Sequence, residues 1–397
     1  MFRLLRENLL RVRINGGSSS PASKTSLLCF FHGNPSLKSI THSSESTPTA
    51  PTSSSLTISY LTTSCGLSSE LALRASKWFT LKTTKNADLV LDCLRNHGFE
   101  LTHIAKVIGQ RPDLLKLHPE RILNSKMDFL MRYGFSSSQL INLLSKDPSI
   151  LTRSLENQII PSLEFLKGLV GTQENVIAAI NRSAYTVRPS RLKRLVPNIS
   201  SLRDHGVPNS YVSKFIIKQP DMFTMVDPDR FRTSVVAVHG MGFNPLSTRF
   251  VEAVRAMLMS KSGWDEKYEL YRSLGWSDGD FMSAFRMFPQ WMFSSEKKVN
   301  RVFEFFVGEL GWEPPSLSRC PVLITLSLEK RVIPRCSVLE VLLSKGLIEK
   351  DMKWSTALKL TEKQFLERFV TKYEEEAAEL MRAYHGMTES KGNPVHA

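Results

Sequence analysis

Apolar residues along this chain fall in short blocks, and no run approaches the roughly 18 residues that a membrane span needs. Blocks such as Met127–Tyr133 and Ser137–Lys146 carry their apolar residues at helical spacing. The blocks end at regular intervals. A glycine followed by an apolar residue recurs at Gly98-Phe99, Gly134-Phe135, Gly206-Val207, Gly242-Phe243, Gly275-Trp276, Gly311-Trp312 and Gly346-Leu347. The successive spacings are 36, 72, 36, 33, 36 and 35, and Gly171 fills the empty slot one place late. Prolines 112, 148, 220, 289 and 321 form a second series, with Ala184 and a position near Ala256 in the vacant slots.

The two series predict one unit of about 36 residues. A first helix ends at glycine, where a left-handed residue closes the last turn; Gly134, Gly206 and Gly242 are expected there. A capping residue starts the second helix: Ser136 with Gln139, Ser277 with Asp280, and Asn244 ahead of Pro245. Proline stops that helix, because the residue before it disfavours the α region. A Leu/Ile/Phe-rich turn follows, such as Leu114-Leu115 or Ile150-Leu151. One such unit cannot bury its apolar face, whereas stacked units share a core. The expected fold is an all-α solenoid of about eight helix–turn–helix repeats over residues 84–347, wound into a curved superhelix. Residues 51–83 read as a partly helical leader. Residues 348–385 read as a C-terminal cap, in which Phe365, Leu366, Phe369, Val370 and Tyr373 lie on one helical stripe. Residues 386–397 read as a disordered tail. The third unit, with Ala184 in place of proline and its glycine shifted, departs from the pattern.

The first 50 residues differ in composition. Arg3, Arg6, Arg11 and Arg13 stand among apolar residues with only Glu7 opposing, and a serine-rich stretch follows. That composition is expected of an organellar transit peptide, its early arginines favouring the mitochondrion over the plastid. No stable structure is expected before about residue 65. The whole chain of 397 residues carries 52 Lys and Arg against 38 Asp and Glu, a formal charge of +14. Residues 70–360 hold nearly all the surplus, which points to a polyanionic partner. The five cysteines form no CxxC pair, so neither a disulfide framework nor a structural zinc site is expected.

The Gly-aromatic turns, the Pro turns and two longer phrases resemble the mitochondrial transcription termination factor (mTERF) family, most closely its plant members. The phrases are Leu155-Glu-Asn-Gln-Ile-Ile-Pro161 and Glu329-Lys-Arg-Val-Ile-Pro-Arg-Cys-Ser-Val-Leu339. The leader near Ser64-Cys-Gly-Leu67 and the tail to Tyr384 resemble it too. The resemblance implies paired helices plus a short 3₁₀ turn per unit. It also implies nucleic-acid binding in organelles, acting on transcription, its termination or RNA processing, without enzymatic activity.

Candidate chemistry is sparse. Cys93, His97 and His103 are too few to hold zinc, and Asp227-Pro-Asp229 sits where acids complement a helix start. There is no phosphate-cradling glycine loop, no HExxH and no GxSxG, so neither a catalytic residue, a metal nor a cofactor is expected. One basic constellation stands out. Residues 175–203 contain no acid and six cations: Arg182, Arg188, Arg191, Lys193, Arg194 and Arg203. Comparable positions in other units hold Arg121, Arg153, Arg230, Arg232, Lys297, Lys298, Arg331 and Arg335. In a solenoid, equivalent positions share a face, and such a row would follow a phosphate backbone. The residues expected to do so are Arg153, Arg182, Arg188, Arg191, Lys193, Arg194, Arg232, Arg331 and Arg335. The expected partner is double-stranded DNA or organellar RNA, bound by a monomer without membrane contact. Two other functions fit the scaffold: an RNA splicing or processing factor, and a protein-interaction solenoid that touches no nucleic acid.

Overall fold

The computed structural model describes residues 53–389, with side chains to His385, and every regular element among them is helical. The expected transit peptide and the last part of the expected tail, residues 390–397, lie outside them. Helix pairs and short turns repeat along the chain. Lys85–Asn96 pairs with Leu101–Gln110 and is closed by the 3₁₀ turn Pro112–Lys116. Ser125–Arg132, Ser137–Lys146 and Pro148–Thr152 follow in the same order, as do Lys261–Ser273, Asp278–Met287 and Pro289–Phe293 further on. The fold is an all-α solenoid of helical repeats.

The turns close as their residues dictate. At Gly134 (φ +104°) the Gly134 N–H donates to the Met131 carbonyl and the Phe135 N–H to the Leu130 carbonyl, a Schellman pair that satisfies the helix's last acceptors. Gly206 (φ +81°) repeats it, with donations to Arg203 and, from Val207, to Leu202. The Pro turns share a geometry as well. The residues before Pro112, Pro148, Pro220, Pro289 and Pro321 hold φ between −155° and −136° and ψ between 56° and 77°. This conformation leaves the α region and lets the chain re-enter a tight turn. In the third unit Ser183 takes φ −141°, ψ 103° without a following proline, and Ala184–Val187 forms the 3₁₀ turn. Buried Ala184 and Val187 keep this irregular unit in register.

Contacts divide the chain into two compact units. One comprises the residues up to Pro197 together with Ser213–Met225; the other comprises Asn198–Val212 and the residues from Val226 on. The first unit has an aliphatic core, with Leu94, Leu130, Leu140, Leu144, Leu166 and Ile180 fully buried. The second is aromatic at its centre. Tyr271 lies 4.6 Å from the Trp276 ring and 4.5 Å from that of Trp291, and all three are buried.

Three local expectations need correction. Residues before 65 are not all unstructured, since Ser53–Thr63 is helical. Leu61 is buried, the Thr57 hydroxyl accepts from the Leu81 N–H, and the Tyr60 hydroxyl donates to Asp88 on the first repeat (2.7 Å). Packing against the array orders this leader. Asn244 does not cap a helix beginning at Pro245. Its side chain accepts from the Leu246 N–H, and Ser247 caps Thr248–Met257 instead. The C-terminal stripe is not one helix either. It breaks into Glu362–Leu366, a π turn Glu367–Thr371, and Ala377–Glu389, the last running past the expected boundary at 385. Phe365, Phe369, Val370, Leu380 and Tyr384 nevertheless pack on Val338, Leu339 and Leu342, covering that end of the second unit.

Candidate nucleic-acid interface

The basic constellation is carried by Gln173–Arg182, the turn Ala184–Val187 and the long helix Pro189–Arg203. Arg182, Lys193 and Arg194 are exposed, whereas Arg188 and Arg191 are half-buried. Arg182 and Lys193 form no ion pair with a described residue. Arg194 donates to the Met225 carbonyl (2.9 Å) and Arg191 to the Thr224 carbonyl (3.5 Å).

That last contact belongs to a repeated device that the charge pattern alone did not reveal. A cation early in a unit's first helix donates to the carbonyls that end the same unit, at the close of its second helix or of the short turn after it. Arg230 reaches Leu258 (2.7 Å), Lys298 reaches Thr325 (2.7 Å) and Arg331 reaches Lys359 (3.0 Å), while Lys267 holds Ser294. The separations are 28, 27, 28 and 27 residues. Lys126 does the same to Leu151 at 2.6 Å. Burial lowers the pKa of Lys126, Lys267, Lys298 and Arg331, so desolvation opposes the charge on these side chains. The reward is that carbonyls left over at a turn's end gain a charged donor. Lys126 and Lys267 were not among the candidate residues, and their regular offset from a following Pro turn is the signal that finds them.

Other candidates are committed elsewhere. Asp147, fully buried just before Pro148, binds two of them. Arg188 approaches it with two bonds, Nε to Oδ2 (2.9 Å) and Nη2 to Oδ1 (2.7 Å), and lies 4.3 Å from the Tyr185 ring. Arg153 Nη2 donates to Asp147 Oδ2 and to Ser149 Oγ, both at 2.8 Å, and its Nη1 to the Val187 carbonyl. Burial pushes the Asp147 carboxyl up, but the hydrogen bonds from Arg188 and Ser149 and the two guanidinium charges outweigh it and hold the pKa below the ordinary value. Arg335 is a correction to the expected row. Its side chain is 1% exposed, donates to the Leu358 and Leu360 carbonyls and to Glu362, and lies over the Phe365 ring. No polyanion reaches it. Arg331 is spent on the latch, and Arg232 pairs with Asp229 on its own helix (2.7 Å). Arginine's five donors and apolar stem suit a carbonyl or a buried carboxylate as well as a phosphate, which is why charge placement alone overcounted.

The site that remains open lies in the first unit: Arg182, Lys193 and Arg194, flanked by Arg188 and Arg191. It offers flexible and forked donors without a nucleophile or base among them. These repeats, with their glycine and proline turns, are also what a wider comparison detects, for the family model named mTERF matches residues 91–261 and 254–366. The chain belongs to the mTERF family. No curated protein sequence matches it. The mTERF repeats are helical and nucleic-acid-binding, and the family works in organelle gene expression. No helix among the described residues of this member is long and apolar enough to cross a membrane.

Proposed function

We propose that this mTERF protein regulates mitochondrial transcription or its termination by holding a nucleic-acid backbone on the basic surface around residues 182–194. The observation that carries the reading is the acid-free segment 175–203, whose Arg182 and Lys193 remain exposed while other repeats spend their cations on carbonyls; Arg194, which donates to the Met225 carbonyl, is exposed beside them. Such side chains neutralise phosphates in a sequence-independent way, and released counterions make the affinity depend on salt. The N-terminal arginines, with Glu7 as the one acid among them, support import into mitochondria.

The test compares two double variants of the full chain. Arg182→Gln with Lys193→Gln removes two open cations and no ion pair; Lys363→Gln with Lys372→Gln removes two cations from the C-terminal cap. The first should lower the slope of log affinity against log salt by about 1.8 on duplex DNA or about 1.4 on a single strand, with unfolding unchanged. The second should leave it alone. Equal losses from both would reduce the effect to net charge and remove the interface from this segment.

A further inference from the structure

The chain has six tryptophans, and three of them, Trp264, Trp276 and Trp291, are core residues. Trp312 and Trp354 are not. Both are half-buried, and both line one cleft in the second unit, together with Arg319, Lys350, Asp351 and Lys353. Two successive second helices are short where the cleft lies. Pro314–Ser318 has 5 residues and Trp354–Lys359 has 6, where Leu101–Gln110 and Asp278–Met287 have 10. The two indoles stand at or just before the starts of these short helices and border the cleft.

The walls are rigidly supported. Trp312 rests on the Phe306 ring at 4.7 Å, and Trp354 packs against the apolar cluster beneath the C-terminal cap. Three exposed cations and one exposed acid stand around them, a surplus of positive charge. A planar, electron-rich ring system with an attached anion satisfies both features. An aliphatic anion would leave the indoles unused, and an uncharged aromatic would leave the cations unused. We propose that this cleft binds a nucleotide, its base stacked on Trp312 or Trp354 and its phosphate held by Arg319, Lys350 and Lys353. Base–aromatic stacking is tolerant of base identity, so the cleft takes nucleotides as a class. The nucleotide is either one residue of a bound strand or a free mononucleotide. Only the first source rests on the nucleic-acid reading above.

The experiment uses the full chain and two probes, a fluorescent single-stranded decanucleotide of mixed sequence and adenosine monophosphate. Trp312→Leu and Trp354→Leu remove a ring and keep apolar bulk; Trp78→Leu, at a 61% exposed indole elsewhere, is the control. If the strand supplies the nucleotide, each cleft variant should bind the decanucleotide at least about fivefold more weakly, the lower end of one base stack, with the salt slope unchanged. Arg319→Gln with Lys353→Gln should instead lower that slope by about 1.4. Trp312→Phe should restore part of the affinity, which separates stacking from misfolding. If a free nucleotide is the ligand, adenosine monophosphate should quench wild-type tryptophan emission, and both Leu variants should lose the quench while strand binding is unaltered. Cleft variants that match wild type with both probes, or a loss as large in Trp78→Leu, would overturn the proposal. A wild-type chain that binds the strand with no dependence on these residues, and whose emission adenosine monophosphate does not quench, would sink the cleft and leave the basic surface standing. Should it bind neither probe, both readings fall.

Discussion

Asp147 shows how one buried acid organises the cations around it. Its carboxylate is inaccessible to solvent, yet Arg153, Ser149 and Arg188 satisfy both oxygens, the last from the start of a later helix. Removing one partner of a buried ion pair leaves an uncompensated charge, which typically costs about 3 kcal/mol or more. Asp147→Asn should therefore destabilise the protein by about 3 kcal/mol at neutral pH, read from urea unfolding. The pH dependence has a definite sign. The folded carboxyl has its pKa below the unfolded value of about 3.9, so its stabilisation is complete above that pH. It is lost as pH falls through the folded value. The gap between wild type and Asp147→Asn should close in acid, and a gap independent of pH would mean that the ion pair is not the source of the loss.

At the scale of the element, the repeated unit is a set of stops rather than a set of strong helix formers. The glycine ends the first helix, the residue before proline ends the second, and a 3₁₀ turn buries two apolar side chains before the next helix starts. The third unit isolates the contribution of proline, because Ser183 and Ala184–Val187 take the same course without it. Proline at a compatible position narrows the unfolded ensemble without changing native contacts. Ala184→Pro should accordingly raise stability by about 0.4–1 kcal/mol, measured as a higher urea midpoint at unchanged m-value. A loss would show that Ser183, at ψ 103°, cannot accommodate the ring. The cation latch works on this scale too. It ties the start of a unit's first helix to the end of the same unit, and explains why basic residues recur in register even where no polyanion is in reach.

For the molecule, the division into two compact units sets how far a local loss should spread. In repeat proteins stability is close to a sum of local and neighbour terms, so separate units open separately. Phe365 is fully buried, with Val338, Leu339 and Leu342 in its cluster and Arg335 over its ring. Phe365→Ala should cost about 3–5 kcal/mol within the second unit. Hydrogen exchange should report it as lost protection over residues 333–344, with residues 137–146 of the first unit unaffected. Equal deprotection of both segments would mean that the chain unfolds as one body.

The sequence by itself determined the period, the two-helix unit and the glycine and proline stops, because each follows from backbone sterics or from burial of one helical face. Ser136 and Ser277 could be read as caps for the same reason: the donor and acceptor lie three residues apart. Asn244 was misread because two local hydrogen-bonding options compete there, and the fold around Ser247 selects between them. The helix Ser53–Thr63 was hidden in a serine-rich segment, since what orders it is packing against Asp88 and Leu81. Above all, only the tertiary structure divided the basic residues by role. A guanidinium carries the same charge whether it faces solvent at Arg182, a turn carbonyl at Arg331 or a sealed pocket at Arg335. What distinguishes them is the acceptor that a segment more than twenty residues away brings within 3 Å, a distance set by how the helices pack and not by the residues beside them in the chain.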